Sequence, residues 1–332
     1  MTTSSRAVHL TARPSGRPTP DDFEIVASEL ADPGPGEVLV RNTMMSVDPY
    51  MRGRMNDTRS YVPAYELGRP MDGGAVGEVV ASGADGFAPG DVVLHQFGWR
   101  EHALVPATAL RTLDTSRVPA SAYLGVLGMP GLTAYAGLVR VAGLREGDTV
   151  FVSGAAGAVG SQVGQLAKLL GAGTVIGSAG SPEKVAWLEE LGFDVALDYK
   201  ASPIGRQLAG HGPVDVYFDN VGGDHLEAAI SAMADHGRIA ACGAIAGYNA
   251  DGPLPGPRNL MMMISKRLTM RGFIVTDHAD LAGEFYRQAG SWLTEGRLAH
   301  RETVVDGLDH AVEAFLAMMD GQNTGKMLVS LG

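Results

Sequence analysis

From Thr149 to Gly171 the chain reads TVFVSGAAGAVGSQVGQLAKLLG. An apolar run enters a loop in which glycine recurs at Gly154, Gly157 and Gly160. A segment with helical spacing follows, its apolar face set by Val159, Val163, Leu166 and Leu170. Strand, glycine turn and helix in this order form the head of a βαβ unit, where the backbone can approach a pyrophosphate. The helix dipole and the N–H groups of the first turn would stabilise that charge. The spacing is G-x-x-G-x-x-G rather than the commoner G-x-G-x-x-G. Taken alone, the glycines could equally serve close packing of strand against helix.

The surrounding chain favours the ligand-binding reading. From about Ser121 onward, short apolar runs alternate with helix-like stretches: TVFVS, TVIGS, VALDY, VDVYFD, RIAACGA and LTMRGFIV. Six strands spaced in this way predict an α/β fold, a Rossmann-type doubly wound parallel sheet made of two mononucleotide-binding halves, over residues 123–300. Residues 279–300 read as one more helix, and the tail as a helix followed by a strand that returns to the first domain. Residues 1–122 have a different texture. There EVLVRNTMMSV, GGAVGEVVASG, DVVLHQFG and EHALVPA are separated by turn signals such as DPGPGE and GADGFAPGD, which predicts an antiparallel, barrel-like β domain. Residues 301–332 would complete it.

Bulk properties narrow the partners. The 332 residues carry a formal charge of −11, which disfavours nucleic acid and anionic membrane surfaces. No stretch approaches the roughly 20 apolar residues of a membrane span, and the N-terminus lacks a signal-peptide core. The single cysteine, Cys242, permits neither an internal disulfide nor a cysteine-based zinc cluster, and a reducing cytoplasmic location fits that usage. The nine histidines form no H-x-x-H-like cluster. His95 and His102 stand seven apart, and each reads as a surface or hydrogen-bonded residue. Chemistry without a bound metal is the expectation.

The second strand of the sheet bears on which dinucleotide is held. NAD enzymes place an acidic residue about 20 positions after the glycine loop, to bind the ribose 2′-hydroxyl. Here the segment reads TVIGSAGSPEKV, with no acid before Glu183 and with Ser181 and Lys184 in its place. A hydroxyl and an ammonium can hold a 2′-phosphate, which predicts NADP(H). The plainer alternative is that Ser181 caps the next helix, with Pro182 in its first turn, and that Lys184 is solvated. Both readings can hold for Ser181.

Several stretches together, SVDPYMRGRM, GMPGLTAYAGL, SGAAGAVGSQVGQLAKLLG, GSPEKVAWLEELGFDVALDYK, DVYFDNVGG, GRIAACGAIAGYN and NTGKMLV, resemble the zinc-independent medium-chain dehydrogenases/reductases. The branch they resemble is that of prostaglandin reductases and alkenal double-bond reductases. The match runs in consistent order from Asn42 to Val329. The resemblance implies a GroES-like barrel beside the Rossmann domain and a homodimer. It also implies NADPH-dependent reduction of the carbon–carbon double bond of α,β-unsaturated ketones and aldehydes. Carried over position by position, the cofactor residues would be Gly157, Ala158, Val159, Gly160 and Ser161 in the turn, then Ser181, Lys184, Tyr199 and Asn220. Cys242, Gly243, Ala244, Ile245 and Tyr248 would follow, then Phe273, Ile274 and Val275, and finally Asn323 from the C-terminal return. Lys184 and Tyr199 fall at the adenosine-phosphate end. Tyr248 falls beside the substrate carbonyl, and Tyr50 and Met129 at the substrate pocket. After the sixth strand, Thr276, Asp277 and His278 stand where relatives often carry bulkier or more basic residues, so the substrate itself is the least determined part. The run Met261, Met262, Met263 reads as core.

In the implied reaction, hydride goes to the β-carbon of an enone and charge develops on its carbonyl oxygen. The Tyr248 hydroxyl and the cofactor's ribose hydroxyl are the candidate donors there, and the α-carbon takes its proton from water. Tyr248 could also be a packing residue only, and Cys242 reads as a buried apolar residue of the fifth strand. Two alternatives stay open: a zinc-free quinone oxidoreductase, and a non-catalytic NADPH-binding scaffold of the same fold.

Overall fold

The computed structural model describes residues 2–252 and 254–332. In chain order the first strands are β1 (Thr3–Leu10), β2 (Phe23–Leu30), β3 (Glu37–Ser46), β4 (Ala75–Ser82), β5 (Val92–His95), β6 (His102–Pro106) and β7 (Arg111–Thr112). A short helix, α1 (Tyr50–Arg54), interrupts them, and α2 (Met129–Ala136) follows. The next six strands are β8 (Thr149–Val152), β9 (Thr174–Ala179), β10 (Val195–Asp198), β11 (Val214–Asp219), β12 (Met233–Ala241) and β13 (Thr269–Gly272). Between and after them lie α3 (Gly160–Leu169), α4 (Pro182–Glu190), α5 (Ile204–Leu208), α6 (Gly223–Ala232), α7 (Met262–Ser265) and α8 (Ala282–Thr294). The chain ends with β14 (Glu302–Asp306), α9 (Ala311–Met319) and β15 (Lys326–Ser330). Two units result: Met1–Leu124 with Glu302–Gly332, and Gly125–Arg301.

In the first unit a mostly antiparallel sheet runs β14-β15-β3-β4-β5-β7, with β6 also paired to β3. β1 and β2 form a separate hairpin. The β3–β4 register slips between Asn42 and Met44. There Gly77 is required, because a Cβ would lie 2.4 Å from the Arg41 carbonyl oxygen. Met45, Met51, Met55, Met71, Trp99 and Phe315 fill the core. The predicted terminal strand is β15, and it pairs antiparallel to β3 in the first unit. Its first residue, Lys326, is buried. The ammonium donates to the Val47 carbonyl at 2.7 Å, to Asp48 Oδ1 at 2.9 Å and to the Met327 carbonyl at 3.0 Å. The other Asp48 oxygen accepts from the Ser46 hydroxyl, so the buried pair is well furnished with hydrogen bonds.

In the second unit the six predicted strands form one parallel sheet, ordered β10-β9-β8-β11-β12-β13. This is the doubly wound order, and its switch point lies between β8 and β11. The two central strands are buried on both faces, which explains why they read as continuous apolar runs rather than alternating ones. Phe151 and Tyr217 stack across them at 5.0 Å. Helix α3 packs tightly: a Cβ on Gly164 would come within 1.9 Å of the Phe193 ring. Two local expectations differ from the structure. Cys242 lies one residue beyond β12 and is only half-buried. Met261 is 74% exposed, since the short helix α7 turns only its partners Met262 and Met263 inward. No helix among the described residues is long and apolar enough to cross a membrane.

Candidate active site

The carboxyl ends of the second unit's strands gather the polar residues that the sequence singles out, and the three loop glycines prove to have different tasks. Gly154 adopts φ +59°, which an L-residue rarely takes. Gly160 opens α3 so close to the loop that a Cβ would sit 2.3 Å from the Gly154 carbonyl oxygen. Gly157 meets only that same oxygen, at 3.3 Å, so its other side is open. Ala158 and Val159 complete the turn, and Ser161 is buried in the first helical turn. No side chain caps α3 and no acid occupies its first turn. This is a cradle lined by backbone, with a positive helix end aimed at it, and it fits a pyrophosphate.

A hydrogen-bonded hub that the sequence reading missed fixes the floor of this region. Asp219, buried at the end of β11, accepts on Oδ1 from the Tyr217 hydroxyl at 2.7 Å and from the Ser153 hydroxyl at 3.3 Å. The same oxygen accepts from the backbone amides of Val221 and Gly222 at 2.9 and 2.8 Å. Ser153, at the end of β8, also accepts from the Asn220 amide at 3.0 Å, and its carbonyl takes the Asn220 side-chain N–H at 2.8 Å. Burial, and then the Asp219 charge, push the Tyr217 phenol well above its ordinary pKa. It stays protonated and donates. The hub thus orients Asn220 at the switch point. The only advance signal was polar residues terminating otherwise apolar strands.

Beyond β12 the chain doubles back toward the same place. The Cys242 and Gly243 amides both donate to the Asp219 carbonyl, at 2.9 and 3.0 Å, and the Ile245 amide donates to the Asn220 carbonyl at 3.3 Å. Burial, and then Asp219, push the Cys242 thiol up to about 12, which makes it inert as a nucleophile at neutral pH. A tight turn over Ile245–Gly247 presents Tyr248. Its hydroxyl accepts from the Ala244 amide at 3.4 Å, and its own O–H has no acceptor among the described residues. Burial raises the Tyr248 pKa, so the group is a proton-bearing donor across the neutral range. After β13, Phe273 packs edge-on against Phe218 at 6.2 Å, and half-buried Ile274 and Val275 follow.

At the ends of β9 and β10 the capping role of Ser181 is visible. It is the N-cap of α4, its hydroxyl accepting from the Lys184 amide at 3.3 Å. The Lys184 ammonium is held below its ordinary pKa, first by burial and then by neighbouring Lys200. A carboxylate is also near, since Glu183 hydrogen-bonds Ser181. Tyr199 lies against Gly180, its hydroxyl 2.7 Å from where a Cβ there would be.

Two family models match this chain: residues 6–113 as an N-terminal domain of oxidoreductase, and residues 158–293 as a zinc-binding dehydrogenase. The putative NADP-dependent oxidoreductase YfmJ of Bacillus subtilis is 46% identical over 100% of this chain and 99% of its own. The chain belongs to the medium-chain dehydrogenase/reductase family. The NADPH-dependent curcumin reductase of Escherichia coli is 40% identical over 96% of this chain and 95% of its own. The NADP(+)-dependent 2-alkenal reductase of Nicotiana tabacum is 41% identical over 98% and 97%. The crystal structure of CurA from Vibrio vulnificus in complex with NADPH superposes with TM-score 0.93 at 40% identity, covering 98% of this chain and 99% of that one.

Among the described residues no three His, Cys, Asp or Glu side chains converge as a metal site. His95 is buried, accepts from the Phe97 amide at 3.0 Å and is pushed down to about 4 by burial and then by Arg100. The remaining sequence-derived site residues are scattered more widely in this medium-chain reductase. Tyr50 begins α1 and packs on the first unit's core, burial and then Asp48 raising its pKa. Met129, 45% exposed, begins α2 in the second unit. Asn323 lies in the turn before β15, where its side-chain N–H donates to the Gly325 carbonyl at 2.8 Å.

Proposed function

We propose that this protein uses NADPH to reduce the carbon–carbon double bond of α,β-unsaturated ketones and aldehydes. What carries the reading is likeness of 40% identity or more, over nearly the whole chain, to the curcumin and 2-alkenal reductases. The residues present fit the cofactor. The cradle around Gly157 would take its pyrophosphate, Ser181, Lys184 and Tyr199 its 2′-phosphate, and Asn220 with the 242–248 loop its nicotinamide half. NADPH supplies the hydride, which goes to the β-carbon. Tyr248 would donate its uncommitted O–H to the substrate oxygen as charge collects there, and water would protonate the α-carbon. Tyr50 and Met129 are assigned to the substrate pocket, and Asn323 to the cofactor.

Turnover of a 2-alkenal, an enone and a quinone, each with NADPH, tests the reaction. The alkenal and the enone are expected to be reduced faster, and turnover of the quinone alone would overturn the assignment. Tyr248→Phe is expected to lower kcat on the enone about tenfold. That is less than the 10²–10³ typical for a sole oxyanion donor, because a second hydroxyl shares the oxygen. Unchanged kcat would make Tyr248 a packing residue.

The protein is further assigned as a cytoplasmic homodimer, its lone cysteine suiting a reducing compartment. β13 closes one edge of the parallel sheet with all four residues exposed, Met270 among them, and exposed Met261 and Ile264 lie just upstream. A bare edge with apolar neighbours favours pairing with a second copy. Light scattering is expected to give twice the chain mass, and Arg in place of Met270 to shift it toward one. A monomeric wild type would sink the assignment.

A further inference from the structure

Tyr199 is clamped. On one side its hydroxyl rests against Gly180, where a Cβ would stand 2.7 Å from the oxygen and 2.9 Å from Cζ. On the other, the ring meets His225 edge-on, with centroids 5.0 Å apart and planes at 80°. Its backbone is also fixed, the Tyr199 amide donating to the Ala179 carbonyl at 3.1 Å. His225, in the first turn of α6, is only 6% exposed, and its Nε2 is buried with no hydrogen-bond partner among the described residues. Burying an unpaired ring nitrogen is unfavourable, so this position is not accounted for by packing convenience alone. Burial lowers the His225 pKa, which leaves a neutral ring whose contribution is shape.

The clamped ring nevertheless stays 38% exposed. Gly180 is the residue before the Ser181 cap, and Lys184 lies in the first turn of α4. The clamp therefore holds a phenol against the residue that precedes the helix cap.

We propose that Gly180 and His225 are positioning residues for cofactor choice, holding Tyr199 where its hydroxyl meets the 2′-phosphate of NADPH. The inference rests on the NADPH reading above and adds two residues that do not touch the phosphate themselves. Gly180 is not in the left-handed region, so alanine there strains no backbone. The three atoms its methyl group would meet first all belong to Tyr199. A displaced phenol forfeits a hydrogen bond to a charged group, worth about tenfold in affinity.

Calorimetric titration with 2′,5′-ADP and with 5′-AMP separates the possibilities, because the two probes differ only in the 2′-phosphate. Gly180→Ala and His225→Ala are each expected to weaken 2′,5′-ADP about tenfold while leaving 5′-AMP within about twofold. His225→Phe keeps an aromatic edge and is expected to retain most of the affinity. In a Tyr199→Ala background, Gly180→Ala should have no further effect, since its action runs through that ring. Equal weakening of both probes, or an undiminished effect of Gly180→Ala without the tyrosine, would overturn the proposal. A wild-type protein that binds 5′-AMP as tightly as 2′,5′-ADP would instead overturn the NADPH reading on which it stands.

Discussion

Lys184→Ala is expected to weaken NADPH about tenfold to a hundredfold and to leave NADH nearly unchanged. The ammonium is half-buried in the first turn of α4, at the end of β9 where NAD enzymes carry a carboxylate. A hydrogen bond to a doubly charged phosphate contributes about 1.5–3 kcal/mol, which sets the range. NADH has no phosphate there and loses nothing. Steady-state KM values for both cofactors check this, and an equal rise in both would mean that Lys184 supports the fold rather than the phosphate. The lowered pKa adds a pH signature. Burial and Lys200 disfavour the charged form in the free protein, so Lys184 deprotonates below the ordinary lysine value. Affinity for NADPH is then expected to fall on the alkaline side as the ammonium loses its proton, while affinity for NADH stays flat. Bound phosphate favours the charged form, so binding in that window takes up protons.

Lys326→Ala is expected to destabilise the first unit by about 3–5 kcal/mol, because it strands a buried carboxylate. The ammonium it removes satisfies Asp48 and two carbonyls, all within 3.0 Å. For a domain of this size the melting temperature should drop by about 10 °C, measurable by scanning calorimetry. Asp48→Asn in the same chain removes the stranded charge, and the double variant is expected to recover part of the loss. Without any recovery, packing of the lysine stem rather than the ion pair would be the stabilising element.

The Rossmann half was legible because its physics is local. Parallel strands covered on both faces must be apolar throughout, and VFV and VYF announce themselves before any pairing is known. The N-terminal hairpin was not legible in the same way. β2 has no fully buried residue, so FEIVASEL carries no burial rhythm, and β14 is similarly mixed. At the site, glycine and lysine spacing pointed to a pyrophosphate and a 2′-phosphate. The Ser153–Asp219 hub could not be seen, because it joins residues 66 apart that meet only once β8 and β11 pair. The Tyr199–His225 contact depends in the same way on β10 and α6 converging. Met261 reads as core, but it stands at the N-cap of α7 and is exposed there.

The C-terminal strand has a further consequence for how the chain is made. β15 and the Lys326–Asp48 pair join positions 278 residues apart, so the first unit cannot close its sheet until the chain has been translated as far as β15. The continuous Gly125–Arg301 segment has no such wait and can fold as it leaves the ribosome. During synthesis the N-terminal strands thus persist with the Met44–Ser46 end of β3 unpaired on one flank, an open edge exposed to chaperones and to aggregation. A prematurely terminated product would keep the nucleotide-binding sheet and lose the strand that seals its companion.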